Sequence, residues 1–203
     1  MSNLIRYVPI ALIAGYFLYN NFASDSSDLV ANDIDLNQVL DITVETIYAF
    51  EENHPELVAA QDESGSDNDG AFFQFSEDLA TNYNSAAPAL YEGKKIGVVP
   101  QEDASLIAFE DTNDNSSFDE GEDALYLIEV DGENSRVIAT SRSGAVNDSR
   151  ISGTGLLTGM LIGSMLSRQR ASGANPSSKK TQTAKQAQSA RSRSGSGSHS
   201  RGK

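Results

Sequence analysis

The sequence predicts an α+β fold: two helices packed on a three- to four-stranded antiparallel meander, with apolar flanks. Three observations predict it. Apolar residues recur every three to four positions up to about residue 83, then fall into short strand-like runs from about residue 95. All 29 acidic residues lie within residues 1–149, against five basic ones, whereas residues 150–203 hold ten basic residues and no acid. Two uncharged stretches, 7–23 and 151–167, bracket the acidic part. The chain divides accordingly into a membrane anchor (1–23), a linker (24–35), an acidic extracytoplasmic domain (36–149), a glycine-zipper segment (150–167) and a disordered basic tail (168–203).

The stretch 7–23, YVPIALIAGYFLYNNFA, is uncharged. As a helix it rises about 25 Å, slightly short of a roughly 30 Å hydrocarbon core. Tyr7, Tyr16 and Tyr19 suit the interfacial zones, and Arg6 before the run with Asp25 and Asp28 after it orients the chain from inside to outside. A cleaved signal peptide is the competing reading, but Phe22-Ala23-Ser24 is a poor small-x-small site. A buried core helix is the third.

The Ser/Asp/Asn-rich linker leads to Asp35, placed to cap a helix from Leu36. Leu36, Val39, Leu40, Thr43, Val44 and Ile47 keep helical spacing, and the helix should end near Asn53 because His54 precedes Pro55. Residues 61–70 read as a loop. Phe72, Phe75, Leu79 and Tyr83 line one face of a second helix, stopped by Pro88. Strands are expected at Lys95–Val99, Ser105–Glu110, Ala124–Val130 and Arg136–Ser141, with a hairpin turn at Asp131-Gly132-Glu133-Asn134.

In 151–167, Gly155, Gly159 and Gly163 share one helical face, where a partner backbone can approach closely. This predicts a homo-oligomer through residues 151–167. If both uncharged stretches span, the basic tail returns to the cytoplasm, as Arg168, Arg170, Lys179 and Lys180 favour. The segment's Gly and Ser/Thr content also fits an oligomerisation or interfacial role. The tail is placed to contact anionic lipid. Its cations are spaced apart without aromatics, which argues against sequence-specific nucleic-acid recognition.

The chain has no cysteine, which excludes disulfides, thiol nucleophiles and Cys-based zinc sites. No GxSxG, HExxH or GxxxxGK[ST] motif occurs. Gly153-x-Gly155-x-x-x-Gly159 lacks the leading strand and following acid of a dinucleotide site. Of two histidines, His199 lies in the tail and His54 at a helix end.

Chemistry concentrates in Asp111-Thr-Asn-Asp-Asn-Ser-Ser-Phe-Asp-Glu-Gly-Glu122. Oxygen donors stand at relative positions one, three, five, nine and twelve: Asp111, Asn113, Asn115, Asp119 and Glu122. Ser117 would offer a backbone carbonyl at position seven, and Phe118 an apolar anchor at position eight. Calcium takes six to eight hard oxygen ligands, which such a loop can supply. The stretch resembles the calcium loop of the EF-hand and the DxNxNGxxDxGE loops between strands in bacterial surface-protein repeats. It departs in two ways: Ser116 stands where glycine is usual, and the flanks read as strands. The resemblance implies a calcium site on those six residues; the alternative is a solvated acidic turn. Asp67-Asn68-Asp69-Gly70 is a shorter echo that reads as a plain turn. Three functional readings follow: a membrane-anchored structural or interaction protein of the cell envelope, not an enzyme, with an unidentified protein partner; a calcium-dependent sensing module; and a carboxylate-based hydrolase.

Overall fold

The computed structural model describes residues 34–57, 69–151 and 160–182. The expected anchor, most of the linker, Gly155, Gly159 and the tail beyond Gln182 lie outside the described residues.

Helix α1 spans Leu36–Asn53. The Asp35 carboxylate accepts the Asn37 N–H at 2.9 Å, satisfying one of the donors that a helix start leaves open. Its apolar stripe, Val39, Leu40, Ile47 and Phe50, is buried. Helix α2 spans Asp69–Asn84 and buries Phe72, Phe75, Leu79 and Tyr83, the face that the spacing marks. The two helices meet through edge-to-face Phe50 and Phe75, ring centroids 5.6 Å apart, and through the buried Thr43–Tyr83 hydrogen bond of 2.6 Å. Asp69 and Gly70 open α2 rather than forming a turn.

Five strands form one antiparallel meander in sequence order: β1 (Ile96–Pro100), β2 (Leu106–Glu110), β3 (Ala124–Asp131), β4 (Arg136–Ser141) and β5 (Val146–Arg150). The Asn84 carboxamide fixes β1 to α2, donating to Ile96 O and accepting from Ile96 N, both at 2.8 Å. Tyr126, Ile128 and Val130 of β3 alternate with Leu125, Leu127 and Glu129, and the first set joins the helices in the main core. The α+β class with an antiparallel meander therefore stands, with five strands instead of three or four. The fifth, VNDSR, carries no apolar alternation. Its pairing with β4, from Arg136↔Arg150 to Thr140↔Val146, holds it in the sheet.

The C-terminal part differs more. Helix α3, Met160–Ser172, overlaps the apolar segment and enters the core through Leu161, Ile162 and Met165. The Gln169 side chain donates to Val130 O at 2.8 Å, and Leu166 lies over Gly132. Of the expected second span, residues 152–159 lie outside the described residues, and Leu161, Ile162 and Met165 pack in the domain's core. Among the described residues no helix is long and apolar enough to span a bilayer. Nor does disorder begin at residue 168: after Gly173 a one-turn 3-10 helix, Pro176–Ser178, leads to Gln182, which bridges Val146. Segments poor in apolar residues can still dock when their donors meet carboxylates, and this one reaches Glu129, Asp131 and Asp148.

Candidate metal centre

The loop 111–123 connects β2 to β3, and its mouth is closed by the Glu110 N–H donating to Asp123 O at 2.9 Å. The register between these strands shifts at Ala108/Phe109. Both flanks are strands, as their sequences indicate, so the helix-loop-helix form is excluded.

Inside the loop, the Asn113 and Asn115 side chains both bond Asp119, whereas the Asp111 and Glu122 carboxylates accept main-chain N–H groups of the loop. The Asp111 side chain is fully buried; one of its oxygens accepts Asn115 N and the other Ser116 N, each at 3.1 Å. Asn113 Oδ1 accepts Asn115 N at 3.1 Å, and Asn115 Oδ1 accepts Ser117 N at 2.7 Å. Their amide nitrogens converge on Asp119 Oδ2, at 2.9 Å and 2.6 Å. Those two hydrogen bonds lower the Asp119 pKa below the usual carboxylate range. Glu122 ties the end of the loop to its start: Oε1 accepts the Thr112 N–H at 2.9 Å, and Oε2 accepts the Asp119 N–H at 3.0 Å.

Ser116 takes the left-handed backbone conformation, φ 56°, that glycine would adopt without strain. Asp114 (φ 58°) and Gly121 (φ 98°) are also left-handed. The missing glycine thus leaves the turn in place with a serine making it. Phe118 packs on Phe109 with ring centroids 5.1 Å apart, joining a small cluster with Ile107, Ala124, Val99 and Leu127 on the sheet face away from α1 and α2.

Lys95 was not marked by the motif. Its backbone carbonyl accepts the Asp111 N–H at 3.0 Å, and its ammonium lies 2.9 Å from Asp114 Oδ1 and 3.7 Å from Asp111 Oδ2. The sequence signal is positional: with Ile96 paired to Glu110, the residue before β1 must face Asp111.

The donor chemistry fits a hard divalent cation. Asp111, Asp119 and Glu122 bring three carboxylates, Asn113 and Asn115 two carboxamide oxygens, and Ser117 a main-chain carbonyl in sequence position seven. Each Asn Oδ1 already accepts one N–H and keeps a second lone pair. Among the described residues no three acidic or imidazole side chains converge on one point. In their place the amide hydrogens of Asn113 and Asn115 stabilise the ionised Asp119 carboxylate, and the Lys95 ammonium faces Asp111.

Gly163 sits half-buried on α3, and a Cβ built on it would meet nothing within 4 Å. No close backbone approach therefore forms at Gly163 within the described residues. His54 ends α1, its N–H donating to Phe50 O at 2.9 Å, while its ring bonds Asp78 of α2 at 2.7 Å. Thr46 and Thr81, beside this pair in a shallow polar cleft, donate their hydroxyls to Ile42 O and Glu77 O. Both hydroxyls are thus committed to helix carbonyls, and the His54–Asp78 contact reads as a tie between helices.

Comparison with family models, curated proteins and solved structures finds no match.

Proposed function

We propose that this chain is an envelope protein that holds an acidic α+β interaction domain outside the cytoplasm on an N-terminal anchor, with loop 111–122 as a calcium site and no catalysis. The observation that supports the calcium reading is the placement of five oxygen-bearing side chains at the motif's spacing in one hydrogen-bonded loop of twelve residues, with Asn113 and Asn115 both bonded to Asp119. Calcium would be held by Asp111, Asn113, Asn115, Asp119, Glu122 and the Ser117 carbonyl, and would supply the positive charge this loop lacks. Residues 7–23, Arg6 and the distribution of acids support the anchor and its orientation. The packing of α3 on the sheet supports reading the anchor as a single N-terminal span. The domain's role is structural: calcium stiffens the β2–β3 connection, and Phe118 transmits that order to the sheet.

Calorimetric titration of the full chain in detergent tests the site. Heat of binding and a rise in melting temperature with 5–10 mM calcium, roughly saturating for an extracellular module, are expected. Neither signal at that concentration would reject it. Protease cleavage of the domain on intact cells, but not inside inverted membrane vesicles, is the matching result for orientation.

A further inference from the structure

Beyond α3, the chain behaves as a bound peptide. Glu129 and Asp131 of β3, Arg136 of β4 and Asp148 of β5 share the sheet face opposite α1 and α2, by alternation and by the registers Asp131↔Arg136, Glu129↔Ile138 and Ile138↔Asp148. The strap 176–182 crosses that face toward the β5 edge. The Ser177 hydroxyl donates to Asp131 Oδ1 at 3.1 Å, the Lys179 ammonium to Glu129, and the Thr181 hydroxyl to Asp148. Arg136 Nη2 donates to Lys179 O at 2.8 Å. At the edge, Val146 and Gln182 exchange both backbone hydrogen bonds, at 2.8 Å and 2.9 Å. Pro176 is the one residue of the 3-10 turn that is buried.

These contacts define a recognition site: an acidic face flanked by a sheet edge that reads an extended segment through its main chain and through hydroxyl and ammonium groups. The segment that fits is the chain's own strap, and a second copy carries the same one. Three features favour exchange. The strap follows Gly173, left-handed at φ 74°, a joint able to redirect the chain. Only two residues, Ala174 and Asn175, separate that glycine from Pro176, and a short hinge invites swapping. The contacts are mostly polar, so water can replace them while the strap changes hosts.

We propose that the acidic face of β3–β5 is a docking surface for residues 176–182 of a second copy, so that two chains exchange straps into a closed reciprocal dimer. This assembly is independent of the calcium reading. It places self-association on the strap instead of the glycine face. The tether gives the copy in cis an effective concentration in the millimolar range, so exchange grows as the protein approaches that concentration.

The absence of cysteine makes the test clean. A hydrogen-bonded antiparallel pair has Cα atoms about 5.5 Å apart, inside the range a disulfide spans. Full chains carrying Val146→Cys alone, Gln182→Cys alone, or both are oxidised in detergent. The double variant should close within one chain. A mixture of the two single variants should give a covalent heterodimer that increases severalfold between about 10 µM and 1 mM, above the homodimer level of either variant alone. A double variant that closes while the mixture stays uncrosslinked overturns the exchange. A double variant that does not close overturns the docking itself. Homodimers as abundant as heterodimers would show random collision and overturn the inference too.

Discussion

The Lys95 ammonium stands 3.7 Å from the fully buried carboxylate of Asp111 and 2.9 Å from Asp114, so the first donor of the acidic loop already faces a cation. The ion pairs raise the Lys95 pKa, the hydrogen bond to Asp114 contributing most. Lysine is thus charged across the physiological range and opposes any ion that approaches Asp111. Lys95→Met keeps the aliphatic stem and removes the charge. Calcium affinity should rise, by about tenfold at most, as the repulsion is relieved. Isothermal titration of the variant beside the parent checks this. An unchanged affinity would place the ammonium outside the ion's reach.

Ser116 at φ 56° marks the second adjustable point. A left-handed L-residue costs about 1–2 kcal/mol, and glycine gives back roughly half of that gain through its freer unfolded chain. Ser116→Gly should stabilise the protein by about 0.5–1 kcal/mol, or about 1–4 °C in melting temperature for a chain of this size. Thermal unfolding measures it. A lowered melting temperature would mean that the serine side chain contributes something glycine cannot.

Both helices were legible in the sequence because each has a strong apolar face and a terminator: Asp35 and Pro55 for α1, Pro88 after α2. The loop was legible because Asp, Asn, Ser and Gly cluster between two strand-like runs, and these are turn-forming residues. β5 was not, since VNDSR takes its strand conformation from the register with β4 and not from alternation of its own. The docking of α3 was hidden for a different reason. Leu161, Ile162 and Met165 suit a protein core and a lipid core equally well, and the contacts of Gln169 and Leu166 with the end of β3 have no signal in the sequence. Lys95 was invisible because its partner is sixteen residues away and the pairing depends on register.

Asp131 gives the pH dependence. Burial opposes ionisation of its carboxyl, but hydrogen bonds from Asn134, Arg136 and Ser177 outweigh that and hold its pKa below the usual carboxylate range. A folded-state pKa below the unfolded value stabilises the fold above the unfolded pKa. That contribution is lost as pH falls from about 4 through the depressed value. Urea denaturation should therefore show stability declining below pH 4, with a shallower decline in Asp131→Asn. At pH 7 the substitution removes one of the two carboxylates on Arg136, only 13% exposed, and leaves Asp148 at 3.6 Å; the cost should be about 1–3 kcal/mol. Equal acid slopes in the two proteins would remove Asp131 from the account.

Gly97 pairs directly with Phe109 across β1 and β2, and the Phe109 ring lies over it: a Cβ there would come within 2.2 Å of the ring's Cζ. Phe109 is fully buried, with Phe118 against it, so the ring can move only by displacing the residue that anchors the acidic loop. Gly97→Ala should accordingly cost about 1–3 kcal/mol by overpacking and weaken calcium binding at the same time, although position 97 touches no proposed ligand. Gly97→Ala with Phe109→Leu makes room for the methyl group and should recover part of the stability. It should not recover the affinity, since the Phe109 ring that packs on Phe118 is then gone. Denaturation and titration of the two variants separate these effects: a Gly97→Ala protein that is destabilised yet binds calcium as the parent does would show that Phe118 transmits nothing between sheet and loop.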